Sequence, residues 1–197
     1  MTGFQNIFIA VTLIVAMFMG CIFNAMNIIS EKENGVDLVN QVLPMTQSGD
    51  VVQKIFVGFI GGCLSAVLTA CCYFRIPIKS ALLMLVLIIL SAFIASMIGL
   101  FIGKFSESLM VGVVYIKIIM IIFMAVPLVS YLLGTRGLIS VFCYFVPSSA
   151  SFEGIMNLAN SGKPMIAKEM CILMVHCIIW FLLYVSISKW QEKHTKT

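Results

Sequence analysis

Five long apolar runs, separated by shorter polar interruptions, set the pattern of this chain. They cover residues 6–29, 51–74, 80–103, 109–133 and 169–188. A helix needs roughly 20 mainly apolar residues to cross a bilayer, and each run reaches that length. Apolar positions follow one another instead of alternating, which favours helices over strands. A helix also closes its own backbone hydrogen bonds where no water can. The pattern predicts an all-α polytopic membrane protein of about five transmembrane helices, one transmembrane domain over residues 1–197.

The connections differ in kind. Residues 75–79 (RIPIK) and 104–108 (KFSES) read as tight turns. Residues 134–168 form a long segment, apolar enough to touch the membrane but broken by Pro147, Gly154, Gly162 and Pro164. That predicts an outer region of short re-entrant or interfacial helices, each below spanning length. The connection over residues 30–44, SEKENGVDLVNQVLP, is polar and yet patterned.

Composition sharpens the class. The chain is 61% hydrophobic and only 10% charged, whereas soluble domains carry about 25% charged residues. A water-facing globule could not hide so much apolar surface. The net charge of +4 comes without a basic patch interleaved with aromatics, which argues against nucleic acid as a partner. The seven cysteines lie mostly in apolar runs and read as small packing residues. No Lys or Arg precedes the first run, so the start does not read as a signal peptide.

With the N-terminus outside, the inner segments hold Lys32, Lys54, Lys104, Lys189, Lys193 and Lys196. The outer ones then hold Arg75, Lys79, Arg136, Lys163 and Lys168. The small inner excess and the basic tail place the N-terminus outside and residues 30–44 in the cytoplasm.

Residues 30–44 read as a short amphipathic helix. Ser30 would cap it with Glu33 as capping-box partner, Glu31, Glu33 and Asp37 would suit its N-terminus, and Val36, Val39, Val42 and Leu43 would form one stripe. Gly35 would mark a bend and Pro44 the end. Two readings stay open from pattern alone: a solvated loop resting on lipid, or a helix that docks a cytoplasmic partner.

The segment resembles the signature of the permeases of type 2 ATP-binding-cassette (ABC) exporters. That signature is E-[KR]-E-x-G, a proline after eight residues and a lysine after nine more. Here stand Glu31-Lys32-Glu33-Asn34-Gly35, Pro44 and Lys54, with four apolar runs downstream and Pro147 in the outer region. The residue after the glycine is Val36 where Thr is usual, and Asn40-Gln41 replace a Leu pair. The chain also starts where the second span of such permeases would start. On the resemblance it is a fragment, the product of a truncated gene or half of a split permease.

The resemblance implies a coupling helix over about residues 30–44 that fits a groove of a separate ABC ATPase subunit. Glu31, Lys32 and Glu33 would pair with charges on that motor, and Val36, Leu38 and Val39 would fill its groove. Gly35, after Asn34, would allow close backbone approach. It further implies a second permease chain, identical or not, with substrate passing between the two. ATP and Mg would be bound by the ATPase, with no cofactor and no catalysis in this chain. Membrane lipid would surround it, and the composition suggests a bacterial plasma membrane.

Other candidates are weaker. Lys117 lies inside the fourth run, where it either snorkels to the interface or lines a substrate path. His176 is alone in its run and reads as a packing or hydrogen-bonding residue. SGKP at residues 161–164 has a P-loop ending, but Asn157 and Pro164 break the motif. Gly58, Gly62 and Ala66 form a small-residue ridge for packing within the chain or between subunits. No protease arrangement is present. Two rival classes remain: a non-transporting assembly or immunity protein derived from a truncated permease, and a small membrane enzyme or secondary carrier. Paired intramembrane charges or internal repeats would mark a carrier, and the sequence has neither.

Overall fold

The computed structural model describes residues 2–36, 47–73, 78–134, 143–160 and 166–195. The described residues form six helices: α1 Thr2–Glu33, α2 Gln47–Tyr73, α3 Ile78–Phe105, α4 Leu109–Leu133, α5 Pro147–Asn160 and α6 Ala167–Thr195. Five are long and apolar enough to cross a membrane, and α5 is not. The all-α, five-span expectation holds. At 1.5 Å per residue α1 runs to about 48 Å, well beyond a hydrocarbon core of roughly 30 Å. Its last turns therefore extend past the apolar layer and carry the charges there.

α1 and α3 form the centre. In their most apolar stretches 44% and 56% is buried, against 17% or less in α2, α4 and α6. The outer three helices turn large apolar side chains outward, such as Phe56, Leu68, Ile121, Leu132 and Phe181. Lipid is no worse a solvent for them than protein, so close packing and hydrogen bonding hold the bundle together.

The seam between α1, α2 and α3 shows both. Gly20 meets Gly58 and Gly62 so closely that a Cβ there would lie 2.6 Å from the Gly58 carbonyl. Gly99 of α3 presses in the same way on the backbone of Cys21. The ridge of Gly58, Gly62 and the buried Ala66 thus packs within the chain. Ser65 Oγ donates to Ala16 O at 2.6 Å across the same seam. Fully buried Asn24 donates through Nδ2 to Ser96 O at 2.8 Å, and Ser96 Oγ passes a hydrogen bond to Ile55 O at 2.7 Å. Three helices are tied by one polar relay at membrane depth.

α5 lies within the segment expected to form the outer region. Its 14 residues span about 21 Å, too short to cross. It carries three serines, yet Ser148, Ser149, Ala150, Ser151, Phe152, Ile155 and Met156 are all buried. It packs against α1, α3, α4 and α6. It is therefore held inside the bundle instead of lying on its surface, as a polar segment at depth must be. Residues 135–142 and 161–165, with the P-loop-like SGKP, lie outside the described residues.

Candidate functional site

The charged motif occupies one end of the bundle. No Pro or Gly separates Ile29 from Glu33, so α1 continues straight through Ser30. Ser30 is therefore not an N-cap, and the expected capping box with Glu33 does not form. Instead the Ser30 carbonyl accepts from Asn34 N at 3.0 Å and from Asn34 Nδ2 at 2.9 Å. The helix stops at Gly35, whose φ of +69° is the left-handed conformation that ends helices. Nothing lies within 4 Å of a Cβ built there. Gly35 is thus a helix stop, and its conformation explains the glycine without any close approach among the described residues. Val36 follows, 42% exposed. Leu38, Val39 and Pro44 lie outside the described residues.

The three charges before Gly35 are engaged within the chain, Glu31 and Lys32 part-buried and Glu33 exposed. Glu31 Oε2 sits 2.8 Å from Lys54 Nζ of α2, a charge contact without aligned hydrogen-bond geometry. Its other oxygen accepts from Asn27 Nδ2 at 3.1 Å. Lys32 Nζ donates to the carbonyls of Gly103, Lys104 and Ser106 at 2.8, 2.7 and 3.2 Å. The first two are among the last carbonyls of α3 and the third lies just past its end, where the helix dipole is negative and partners are missing. Glu33 Oε1 accepts from Leu109 N at 2.7 Å, the first N–H of α4, where the dipole is positive. Ser108, the N-cap of α4, accepts from Val111 N at 3.5 Å.

Sequence reasoning placed Lys54 in the motif but did not foresee its pairing with Glu31, and it missed Gly103, Lys104, Ser106 and Leu109 altogether. The expected pairing of Glu31, Lys32 and Glu33 with an external motor meets side chains already engaged within the chain. Beside them an open cleft of about 650 Å³ is lined by Phe23, Met26, Asn27, Val57, Ile60 and Leu109. Lys117 lies apart, exposed on the flank of α4, and lines neither this cleft nor the cavity described next.

The opposite end has its own polar cluster. Tyr144 OH donates to Glu153 and accepts from Lys168 Nζ at 2.8 Å, and the ammonium also sits 4.4 Å from the ring centroid. Burial first, and the bond to Glu153 second, push the Tyr144 phenol above its usual value. His176 Nε2 lies 3.0 Å from Tyr144 O. A carbonyl only accepts, so that nitrogen carries the proton. Asn157 Nδ2 donates to Glu169 Oε1 at 3.0 Å. Among the described residues, buried Glu169 Oε2, Ser148 Oγ and Ser149 Oγ find no hydrogen-bond partner. Ser91, Ser148 and Ser151 border a cavity of about 20 Å³, room for roughly one water. Among the described residues no three His, Cys, Asp or Glu side chains gather as a metal site.

Five spans, a polar helix held inside the bundle and charges gathered on helix ends define an integral, multi-pass membrane protein. The chain belongs to the ABC-2 family of transporter proteins, whose family model, described as "ABC-2 family transporter protein", matches residues 1–185. Comparison with curated proteins and with solved structures gave no match.

Proposed function

We propose that the chain is the permease subunit of an ABC exporter, driven by a separate ABC ATPase subunit through the segment that begins at Asn34. The carrying observation is the end of α1. The helix ends at a left-handed glycine with Asn34 and Val36 exposed beside it, and the chain belongs to a transporter family. Asn34, Val36, Leu38 and Val39 make the dock, and Gly35 sets its direction. Glu31, Lys32 and Glu33 hold the base from which it projects. ATP and Mg bind to the ATPase. A second permease chain, identical or homologous, faces this one, and substrate passes between them by alternating access. Lys117, on an outward flank of α4, belongs to that path. The complex sits in a bacterial plasma membrane with the motif in the cytoplasm and lipid around the outer helices.

The test is partner identification. The tagged chain is purified in mild detergent from its host, beside a Val36→Asp/Val39→Asp variant, and stoichiometric partners are read by mass spectrometry. An ABC ATPase is expected with the original chain and should be lost from the variant. Its presence with both would move the dock elsewhere. Its absence from both would overturn the permease reading and favour a membrane assembly protein.

A further inference from the structure

We infer that Lys32 and Glu33 are positioning residues that clamp the end of α1 to the turn between α3 and α4, so that the two move as one unit. The inference rests on the permease reading for its mechanical role, but the clamp itself stands on geometry. Two side chains adjacent in sequence reach two helix ends of opposite polarity. The ammonium of Lys32 covers three carbonyls at the C-terminus of α3. The carboxylate of Glu33 covers the first N–H of α4. Only Ser106, Glu107 and Ser108 separate those ends in the chain. Each contact places a full charge on the complementary pole of a helix, where several backbone groups have no partner within the helix. Such charge-assisted bonds are about twice as strong as neutral ones.

The consequence is a joint. Force applied to the segment after Gly35 reaches α1 directly, and through the clamp it also reaches the ends of α3 and α4. The contact between Glu31 and Lys54 adds α2 to the same unit. A push on one short segment thereby addresses four spans. Gly112, one turn into α4, fits under this joint: a Cβ there would collide with the side chain of Ile29.

Polarity makes the inference testable. Exchanging the two residues, Lys32→Glu with Glu33→Lys, keeps net charge and composition. It sets a carboxylate against carbonyls and an ammonium against an N–H. Amide hydrogen exchange is followed by mass spectrometry over residues 106–112 of the full chain in detergent, without any ATPase. The amides of Ser106 and Gly112, bonded to Ile102 O and Ser108 O, and that of Leu109 report on the turn. Exchange about tenfold faster in the swapped chain is expected. Unchanged exchange overturns the clamp. If the swapped chain does not fold, Lys32→Gln and Glu33→Leu are measured singly, each expected to speed exchange in this segment.

A second arm adds the co-purified ATPase with ATP·Mg or without nucleotide. Nucleotide should alter exchange over residues 106–112 in the original chain and not in the swapped one, with the ATPase bound to both. An equal response in both chains overturns the joint. Loss of ATPase from the swapped chain, with unchanged exchange in the chain alone, would make Lys32 and Glu33 docking groups instead. Absence of any ATPase from the original chain would sink the permease reading, while the first arm still decides the clamp.

Discussion

The two ends of the bundle hold their polar groups differently, although a Glu31 oxygen at the motif end also lacks an aligned hydrogen bond. At the motif end, Glu31, Lys32 and Glu33 each meet a charge or a helix pole of opposite sign. At the other end, among the described residues, Glu169 keeps one oxygen and Ser149 its hydroxyl without a partner, as does Ser148, which borders a water-sized cavity. An unsatisfied buried group gives back part of the stability that burial confers, whereas a satisfied charged group must lose its partners before it can move. The motif end is therefore the more firmly held of the two, as the proposed clamp requires. The opposite end is the less costly place to rearrange, and it is where α5 and the first turn of α6 meet.

A matched pair of lysine substitutions should show the contrast at its largest. Lys54→Met leaves Glu31 without a cation, in a contact where the two side chains are only 10% and 22% exposed. Removing one member of such a pair is expected to cost about 2–3 kcal/mol of unfolding free energy in detergent. Lys168→Met at the other end removes an exposed ammonium from Tyr144, and about 0.5 kcal/mol is expected. Denaturant unfolding of the two variants checks this. Equal losses would break the comparison.

Two serines sharpen it further. Ser96→Ala removes a hydroxyl that accepts from Asn24 at 3.2 Å and donates to Ile55 O at 2.7 Å, and should destabilise by about 1 kcal/mol. Ser148→Ala removes a buried hydroxyl that has no partner, and should stabilise by about 0.5 kcal/mol. The sign, read from paired melting curves, is the point. A loss from both would mean that Ser148 is satisfied by a water in the small cavity.

The spans were legible because their signal is local: run length and hydropathy decide them. The motif was legible by spacing, but its contacts were not. Lys32 meets Gly103, and Glu33 meets Leu109, more than 70 residues away. Nothing in SEKENG tells a charge that grips its own bundle from one that grips a partner. The capping-box reading failed for a definite reason. Ser30 suits an N-cap only if the preceding helix stops, and nothing between Ile29 and Glu33 stops it. Gly35 reads from the sequence as a bend, and it is the true stop. The short length of α5 was readable from Pro147 and the glycines. Its depth was not, because a serine-bearing helix suits an interface as well as a protein interior until its neighbours are known.

The smallest expected effect concerns pH at the end opposite the motif. Tyr144 is held above its ordinary value by burial and by its bond to Glu153, with Lys168 pulling the other way. A phenol ordinarily titrates near pH 10. The folded chain keeps this proton to higher pH than the unfolded chain, so it binds more protons than the unfolded chain in that window. The stability linked to Tyr144 is therefore fully present below about pH 10 and is lost as pH rises through the raised value. Tyr144→Phe abolishes the titration. Lys168 is itself raised chiefly by its hydrogen bond to Tyr144, so subtracting the variant's pH profile from the original's reports the Tyr144–Lys168 pair, and both members lose their linked stability as pH rises. Unfolding measured at intervals from about pH 9 to pH 11 should show the original chain falling more steeply. Parallel profiles would mean that the Tyr144–Glu153 bond does not govern the phenol, and the polar cluster at this end would then be looser than its geometry shows.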